Sequence, residues 1–196
     1  MPALVLATRN DHKLRELREA LPGIEIDPLP PEVELPPETG ETFAENALGK
    51  ARAAREATGR AAIADDSGIA AYGLDGRPGV RSARFAGEDA TDEENLAKLL
   101  REVGEEDRRV AYVAAIALVD EDGTETVFEG RCEGTLTREP RGTGGFGYDP
   151  AFVPDDTGPN DERTMAELAP EEKHAISHRG RAARKLASHL GVEVEG

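Results

Sequence analysis

The chain opens on a short apolar run, residues 3–7 (ALVLA), which predicts a buried strand. Thr8-Arg9-Asn10 turns it into a helix beginning near Asp11, with Leu14, Leu17 and Leu21 at helical spacing and Pro22-Gly23 as the stop. Ile24 and Ile26 predict a second strand, followed by a Pro- and Glu-rich loop from Pro28 to Gly40. Thr42-Phe43-Ala44-Glu45 has the form of a capping box and opens an Ala-rich helix that ends at Gly59. Residues 61–64 (AAIA) predict the next buried strand, closing in Asp65-Asp66-Ser67-Gly68, and 69–86 hold glycines and short β-like pieces. Thr91-Asp92-Glu93-Glu94 is a second capping box, with helix to about Val103. The β-branched run from Arg109 to Asp120 predicts a strand, its hairpin partner at 124–130 across Asp122-Gly123, and a further strand at 131–138. A Gly-rich loop at 142–149 follows, and Pro170 starts a helical pattern running to about Leu190. Strands alternating with helices, then an antiparallel hairpin, predict an α/β fold: a mixed β-sheet flanked by helices, in a single domain over residues 1–196.

Composition sharpens this picture in three ways. With five Phe, three Tyr and no Trp, the core must be built from Ala, Val, Leu and Ile, so each aromatic invites a question about its purpose. A formal net charge of −16 repels nucleic-acid backbones and anionic membranes, which argues against both as partners. A small polyanion can still bind where cations gather locally or a metal is present. Cys132 is alone, which rules out an intrachain disulfide and a Cys-rich zinc site. The N-terminal residues carry no basic leader, and no segment approaches the ~20 apolar residues of a membrane span, so a cytoplasmic location is expected.

Five constellations carry candidate chemistry. Thr8, Asn10 and Lys13 sit between a buried strand and a helix N-terminus, where backbone N–H groups and the helix dipole favour phosphate. The spacing is not that of a Walker A loop, which this chain lacks. Glu38, Glu41 and Glu45 precede or open the helix on which Asn46 and Lys50, four apart, share a face. There a carboxylate can ligate Mg2+ and Lys50 can reach a phosphate. Asp65-Asp66 comes directly after a buried strand, at the end of a sheet where α/β proteins place their sites. If the strand persists through the pair, alternation lets only one of the two face a given cleft, and a carboxylate there can hold metal or accept a proton from a metal-bound water. Gly142 to Pro150 places glycines before Phe146 and Tyr148, allowing close backbone approach to a ligand and a ring for stacking. Finally, Lys173, His178 and Arg179 are cationic donors suited to oxygen acceptors on a ligand, whereas adjacent Ser177 and His178 make poor geometry for a hydrolase relay.

Six stretches, LATRNDHKLREL, ETFAENALGKA, AIADDSGI, PGVRSARFAGE, GTGGFGYDPAFVP and EEKHAISHRGRA, together resemble the inosine triphosphate pyrophosphatase family and span nearly the whole chain in the family's order. The resemblance implies a homodimer whose subunits each have an elongated mixed β-sheet flanked by helices, with two lobes and a central substrate cleft. It implies Mg2+-dependent hydrolysis of a small-molecule purine nucleoside triphosphate (ITP, dITP or XTP) to the monophosphate and pyrophosphate, removing non-standard nucleotides from the pool. By position, Thr8, Arg9, Asn10, Asp11, His12 and Lys13 would hold the triphosphate, with Ser67 also on substrate. Asp66 would be metal ligand and proton acceptor, and Asn46 and Lys50 would assist near the phosphates. Phe146, Gly147, Tyr148, Asp149, Lys173, His178 and Arg179 would surround the base. Two positions depart from the family pattern: Arg9 stands where Gly is usual, and Pro37 where an acidic metal ligand is common. Glu38 or Glu41 is then left as the second metal carboxylate. Asp155 to Arg163 has the look of a variable loop.

Overall fold

The computed structural model describes residues 3–192. Six strands form one sheet in the order β2-β1-β3-β4-β5-β6: β1 (Leu4–Leu6), β2 (Ile26–Pro28), β3 (Ala62–Ala71), β4 (Arg109–Val119), β5 (Glu125–Leu136) and β6 (Phe152–Pro154). β1 pairs in parallel with β2 (Leu4 opposite Ile26) and with β3 (Val5 opposite Ala62), while β6 runs antiparallel to β5. The sheet is therefore mixed, as the pattern of elements predicts. Among the described residues five α-helices accompany it: α1 (Asp11–Ala20), α2 (Phe43–Thr58), α3 (Asp92–Glu102), α4 (Pro170–Ile176) and α5 (His178–His189). Both capping boxes form, with Thr42 accepting from the Glu45 N–H and Thr91 from the Glu94 N–H. Gly59 closes α2 in the left-handed conformation, at φ 66°. Among the described residues, no helix is long and apolar enough to cross a membrane.

Three local expectations are corrected. β3 does not stop before Asp65-Asp66-Ser67-Gly68 but runs through it to Ala71. The glycine there serves close packing rather than a turn: a Cβ on Gly68 would fall 2.4 Å from Ser82 Oγ. The separate strands expected at 124–130 and 131–138 are one continuous strand, β5, whose apolar–polar alternation passes over Gly130 without a break. The C-terminal helical pattern is divided at Ser177, whose extended backbone (φ −64°, ψ 149°) separates α4 from α5.

The chain folds into two compact units. The first contains the chain up to Asp66, Ala114–Gly130 and the chain from His178. Its strands sort their side chains by alternation. Leu4, Leu6, Ile63, Ile116 and Leu118 pack with Leu17 of α1, Leu21 at its C-terminal cap, and Ala183 and Leu186 of α5. On the opposite face, Val5, Ala7, Ala62, Ala64 and Ala117 meet Ala47, Ala51 and Ala54, which line one side of α2. Small side chains on both surfaces let this helix lie close to the sheet. The second unit, Ser67–Val113 with Arg131–Ser177, has its own core of Ile69, Leu96, Leu99, Tyr112, Leu136 and Phe152, with the Tyr112 and Phe152 rings stacked at 4.4 Å. Tyr148 joins this core and donates through its hydroxyl to the Ser82 carbonyl at 2.6 Å.

Candidate active site

Alternation along β3 sends its two adjacent carboxylates to opposite faces of the sheet. Asp65 follows Ile63 toward α1 and α5; Asp66 follows Ala64 toward α2. Their surroundings differ accordingly.

Asp65 is fully buried, with Lys13 Nζ at 2.9 Å from Oδ1 and Arg179 Nε at 2.9 Å from Oδ2. Arg179, itself buried, also pairs with Glu16 through a terminal guanidinium nitrogen. Burial alone would push the Asp65 carboxyl up, but Arg179, Lys13 and Lys50 outweigh it and hold it far below the usual carboxylate range. Asp65 is thus a fixed negative charge that gathers cations. Arg179, expected to read ligand oxygens, is committed here to two carboxylates, because a buried charge of either sign requires a partner.

Asp66 lies among α2 side chains. Asn46 Nδ2 donates to Asp66 Oδ2 at 2.9 Å, and Asn46 Oδ1 accepts the Gly40 N–H at 2.8 Å. Lys50, buried on the same helix face, donates to the Asp65 carbonyl at 2.7 Å and to Glu38 Oε1 at 2.6 Å, with Asp66 Oδ1 at 3.9 Å. Burial pushes the Asp66 carboxyl up and Glu38 adds to it, against the opposing pull of Lys50 and Asn46; the net shift is upward. The two neighbouring carboxylates thus sit in different environments, Asp65 among three cations and Asp66 between Asn46 and Lys50.

These residues fit a divalent cation. Mg2+ binds one or two protein carboxylates and completes its shell with water and phosphate oxygens. Asp66 and Glu38 are two carboxylates that flank the same ammonium, Lys50 Nζ standing 3.9 Å from one and 2.6 Å from the other. Among the described residues, no cluster of three or more His, Cys, Asp or Glu side chains forms a protein-only metal cage. Glu41, the alternative ligand, is exposed, with its N–H donating to Glu45 Oε2 at 2.7 Å.

The turn between β1 and α1 is arranged differently from expectation. Asn10 caps α1, its Oδ1 accepting the N–H groups of His12 (2.9 Å) and Lys13 (3.3 Å), while Thr8 Oγ1 accepts the Asn10 N–H at 3.1 Å. The N–H groups of Asn10, His12 and Lys13 are thus engaged within the cap itself. Asp11 and His12 are exposed, and Arg15 approaches His12 Nδ1 at 3.1 Å. Arg9, expected on the triphosphate, turns back instead onto the carbonyls of Leu29, Pro30, Pro31 and Val33 at 2.7–3.2 Å.

In the second unit the Gly-rich loop is organised by Asp149, which is buried. Its Oδ2 accepts the Phe146 N–H at 3.0 Å and Lys173 Nζ at 2.8 Å, and its Oδ1 accepts the Tyr112 hydroxyl at 3.0 Å. Gly145, at φ +71°, makes room for this: a Cβ there would fall 2.1 Å from Asp149 Oδ2. Lys173 Nζ also stands over the half-buried Phe146 ring, 5.4 Å from its centre, and Asp92 accepts the Gly147 N–H at 2.8 Å. Asp149 is therefore a strut of the loop. Ser67 lies half-buried in β3, and His178 is buried at the start of α5, where its carbonyl would be 2.0 Å from a Cβ on Gly130.

Sequence reasoning missed three participants. Glu16 stands three residues after Lys13, so one face of α1 serves both Asp65 and Arg179. Tyr112, one of three tyrosines, was the available signal for a buried hydroxyl partner. Asn95 is buried, accepting the Ala86 N–H at 2.7 Å and donating to the Ala83 carbonyl at 3.1 Å; nothing in its spacing marks it.

Fold and side chains define an α/β protein with a mixed sheet and a buried acidic pair attended by lysines. The model of the Ham1 family matches residues 4–189, and the chain belongs to that family. It is 49% identical to a dITP/XTP pyrophosphatase of Geobacter sulfurreducens, over 97% of this chain and 98% of the relative. A Mycolicibacterium paratuberculosis protein of the same name is also 49% identical, over 97% and 96% of the two chains. Among solved structures, the HAM1 protein of Coxiella burnetii superimposes with a TM-score of 0.86 at 43% identity, covering 97% of this chain and 99% of that one.

Proposed function

We propose that this protein hydrolyses purine nucleoside triphosphates bearing a 6-oxo base (dITP, ITP and XTP) to the monophosphate and pyrophosphate, and so clears non-standard nucleotides from the pool. The observation that carries the reading is the geometry around β3, where Lys13 stands 2.9 Å from Asp65 while Lys50 bridges Glu38 at 2.6 Å and Asp66 at 3.9 Å, with Asn46 fixing the other Asp66 oxygen at 2.9 Å. Relatives nearly half identical over almost their full length bear the name dITP/XTP pyrophosphatase, which supports the substrate class.

Attack on a triphosphate requires that its charge be offset and that a water lose a proton. Lys13 and Lys50 offset charge: each ammonium has three donors, and Asp65 and Glu38 hold them in place. Asp66 takes the proton, with Asn46 fixing one of its oxygens. Mg2+, held by Asp66 and Glu38 when bound, supplies further charge neutralisation. Phe146 offers its face for stacking on any purine, which gives affinity without choice. Lys173, beside the Phe146 ring, is the donor for base oxygens. Adenine reverses the 6-oxo pattern of acceptor and N–H donor, and each mismatched buried polar group costs roughly 1–3 kcal/mol, enough for about 10- to 100-fold discrimination. The family resemblance also supports a cytoplasmic homodimer, which sedimentation of the purified protein would test.

The deciding experiment incubates the protein with Mg2+ and ITP, XTP, GTP or ATP and identifies the products. Pyrophosphate released from ITP and XTP well ahead of ATP is the expected result. Orthophosphate as the first product would make the protein a phosphatase, and binding without turnover would make it a sensor.

A further inference from the structure

The segment from Pro28 to Pro37 contains five prolines, so half of its residues have no backbone N–H to offer. It has no regular secondary structure after β2, and Val33 N–H to the Pro30 carbonyl is a turn within it. Its carbonyls must find donors elsewhere. Arg9 supplies them: NH1 reaches the Leu29 carbonyl at 2.9 Å, and NH2 reaches Pro30, Pro31 and Val33 at 2.8, 3.2 and 2.7 Å. One guanidinium thus gathers four carbonyls of a chain segment twenty to twenty-four residues away. Directly after that segment the chain brings Glu38 to Lys50 and Gly40 to Asn46.

We infer that Arg9 is a positioning residue: by fastening the proline-rich segment it sets where Glu38 stands, and so the affinity of the Asp66–Glu38 pair for a divalent cation. Arg9 then acts on the reaction through Glu38 and not by touching phosphate. This rests on the reading of the pair as the cation site. Lysine cannot replace Arg9 fully, because a compact ammonium lacks the planar fork that spans several acceptors at once.

The test compares wild type with Arg9→Ala and Arg9→Lys by two independent measurements on the full chain. Amide exchange without nucleotide should rise at least about tenfold at Val33 and Gly40, whose N–H groups are bonded to the Pro30 carbonyl and to Asn46 Oδ1, in Arg9→Ala, with α5 unaffected. Mn2+ binding, followed by its spin-resonance signal, should weaken about tenfold, as when a residue that orients a metal ligand is removed. Arg9→Lys should fall between. In hydrolysis, the half-saturating Mg2+ concentration should rise in step while kcat at saturating Mg2+ stays within about threefold of wild type. Unchanged exchange in the segment overturns the inference, as does faster exchange with unaltered Mn2+ affinity. A raised KM for the triphosphate with both measurements unaltered would make Arg9 a substrate contact. If wild type binds Mn2+ but hydrolyses no triphosphate, the proposed activity fails, while exchange and Mn2+ binding still judge the clamp.

Discussion

Removing Arg179 should destabilise the protein without altering its choice of base. The guanidinium is buried, with Nε 2.9 Å from Asp65 Oδ2 and a second nitrogen on Glu16. At an effective dielectric of about 20, opposite unit charges at that distance attract by roughly 6 kcal/mol. Part of this is offset by desolvation and by the spread of charge over the guanidinium, and breaking a buried pair by removing one partner costs about 3–5 kcal/mol. Lys13 and Lys50 still face Asp65 in Arg179→Met, which places the expected loss toward the lower end of that range. In a chain of this size each kcal/mol shifts Tm by about 2–4 °C, so the drop should be roughly 6–12 °C. Urea unfolding of wild type, Arg179→Met, Asp65→Asn and the double variant gives the coupling energy, expected at about 2 kcal/mol. The ratio of kcat/KM for ITP to that for ATP should be the same in wild type and in folded Arg179→Met. A loss under about 1 kcal/mol with coupling near zero would refute the electrostatic argument. A ratio that collapses because ITP alone suffers would show that Arg179 reads the base after all.

Two further substitutions address the other parts of the site. Asp66→Asn keeps the shape of the side chain but removes its charge and proton-accepting capacity, so turnover should fall at least about 10²-fold while the melting curve stays cooperative; near-normal activity at saturating Mg2+ would move the role elsewhere. Gly145→Ala puts a methyl 2.1 Å from Asp149 Oδ2 at φ +71°, so the loop must shift. The expected loss is concentrated in KM for the triphosphate, and an unchanged KM would show that this loop does not meet substrate.

Much of this was legible in the chain. Both capping boxes, the Gly59 stop and the mixed order of strands follow from local chemistry that packing had no reason to override. The Asp65-Asp66 pair was visible as candidate chemistry, and its members would part only if the strand ran on through them, as it does. What each would meet was not legible, because Lys13, Glu16 and Arg179 come together only through tertiary packing of α1 and α5 on one sheet face. The end of β3 was misplaced for a related reason. Asp-Asp-Ser-Gly has the composition of a turn, and only the buried cations and the approach of Ser82 make those residues habitable within a strand. Arg9 gave no hint of its partners, since the acceptors are main-chain carbonyls and carry no side-chain signature.

The alanines shared by α2 and the sheet act as a distance gauge. Ala47, Ala51 and Ala54 bear on Ala62, Ala64 and Ala117, and the helix they seat is the one that carries Asn46 and Lys50 to Asp66. A valine at any of these positions would act as a shim, with an overpacking cost of about 1–3 kcal/mol and a displacement of the helix away from the strand. A misplacement near 1 Å at reacting groups is enough to cost about 10²-fold in rate. Genetic screens for lost activity should therefore recover conservative Ala→Val changes deep in this interface alongside the charged residues, in proteins that remain folded at growth temperature.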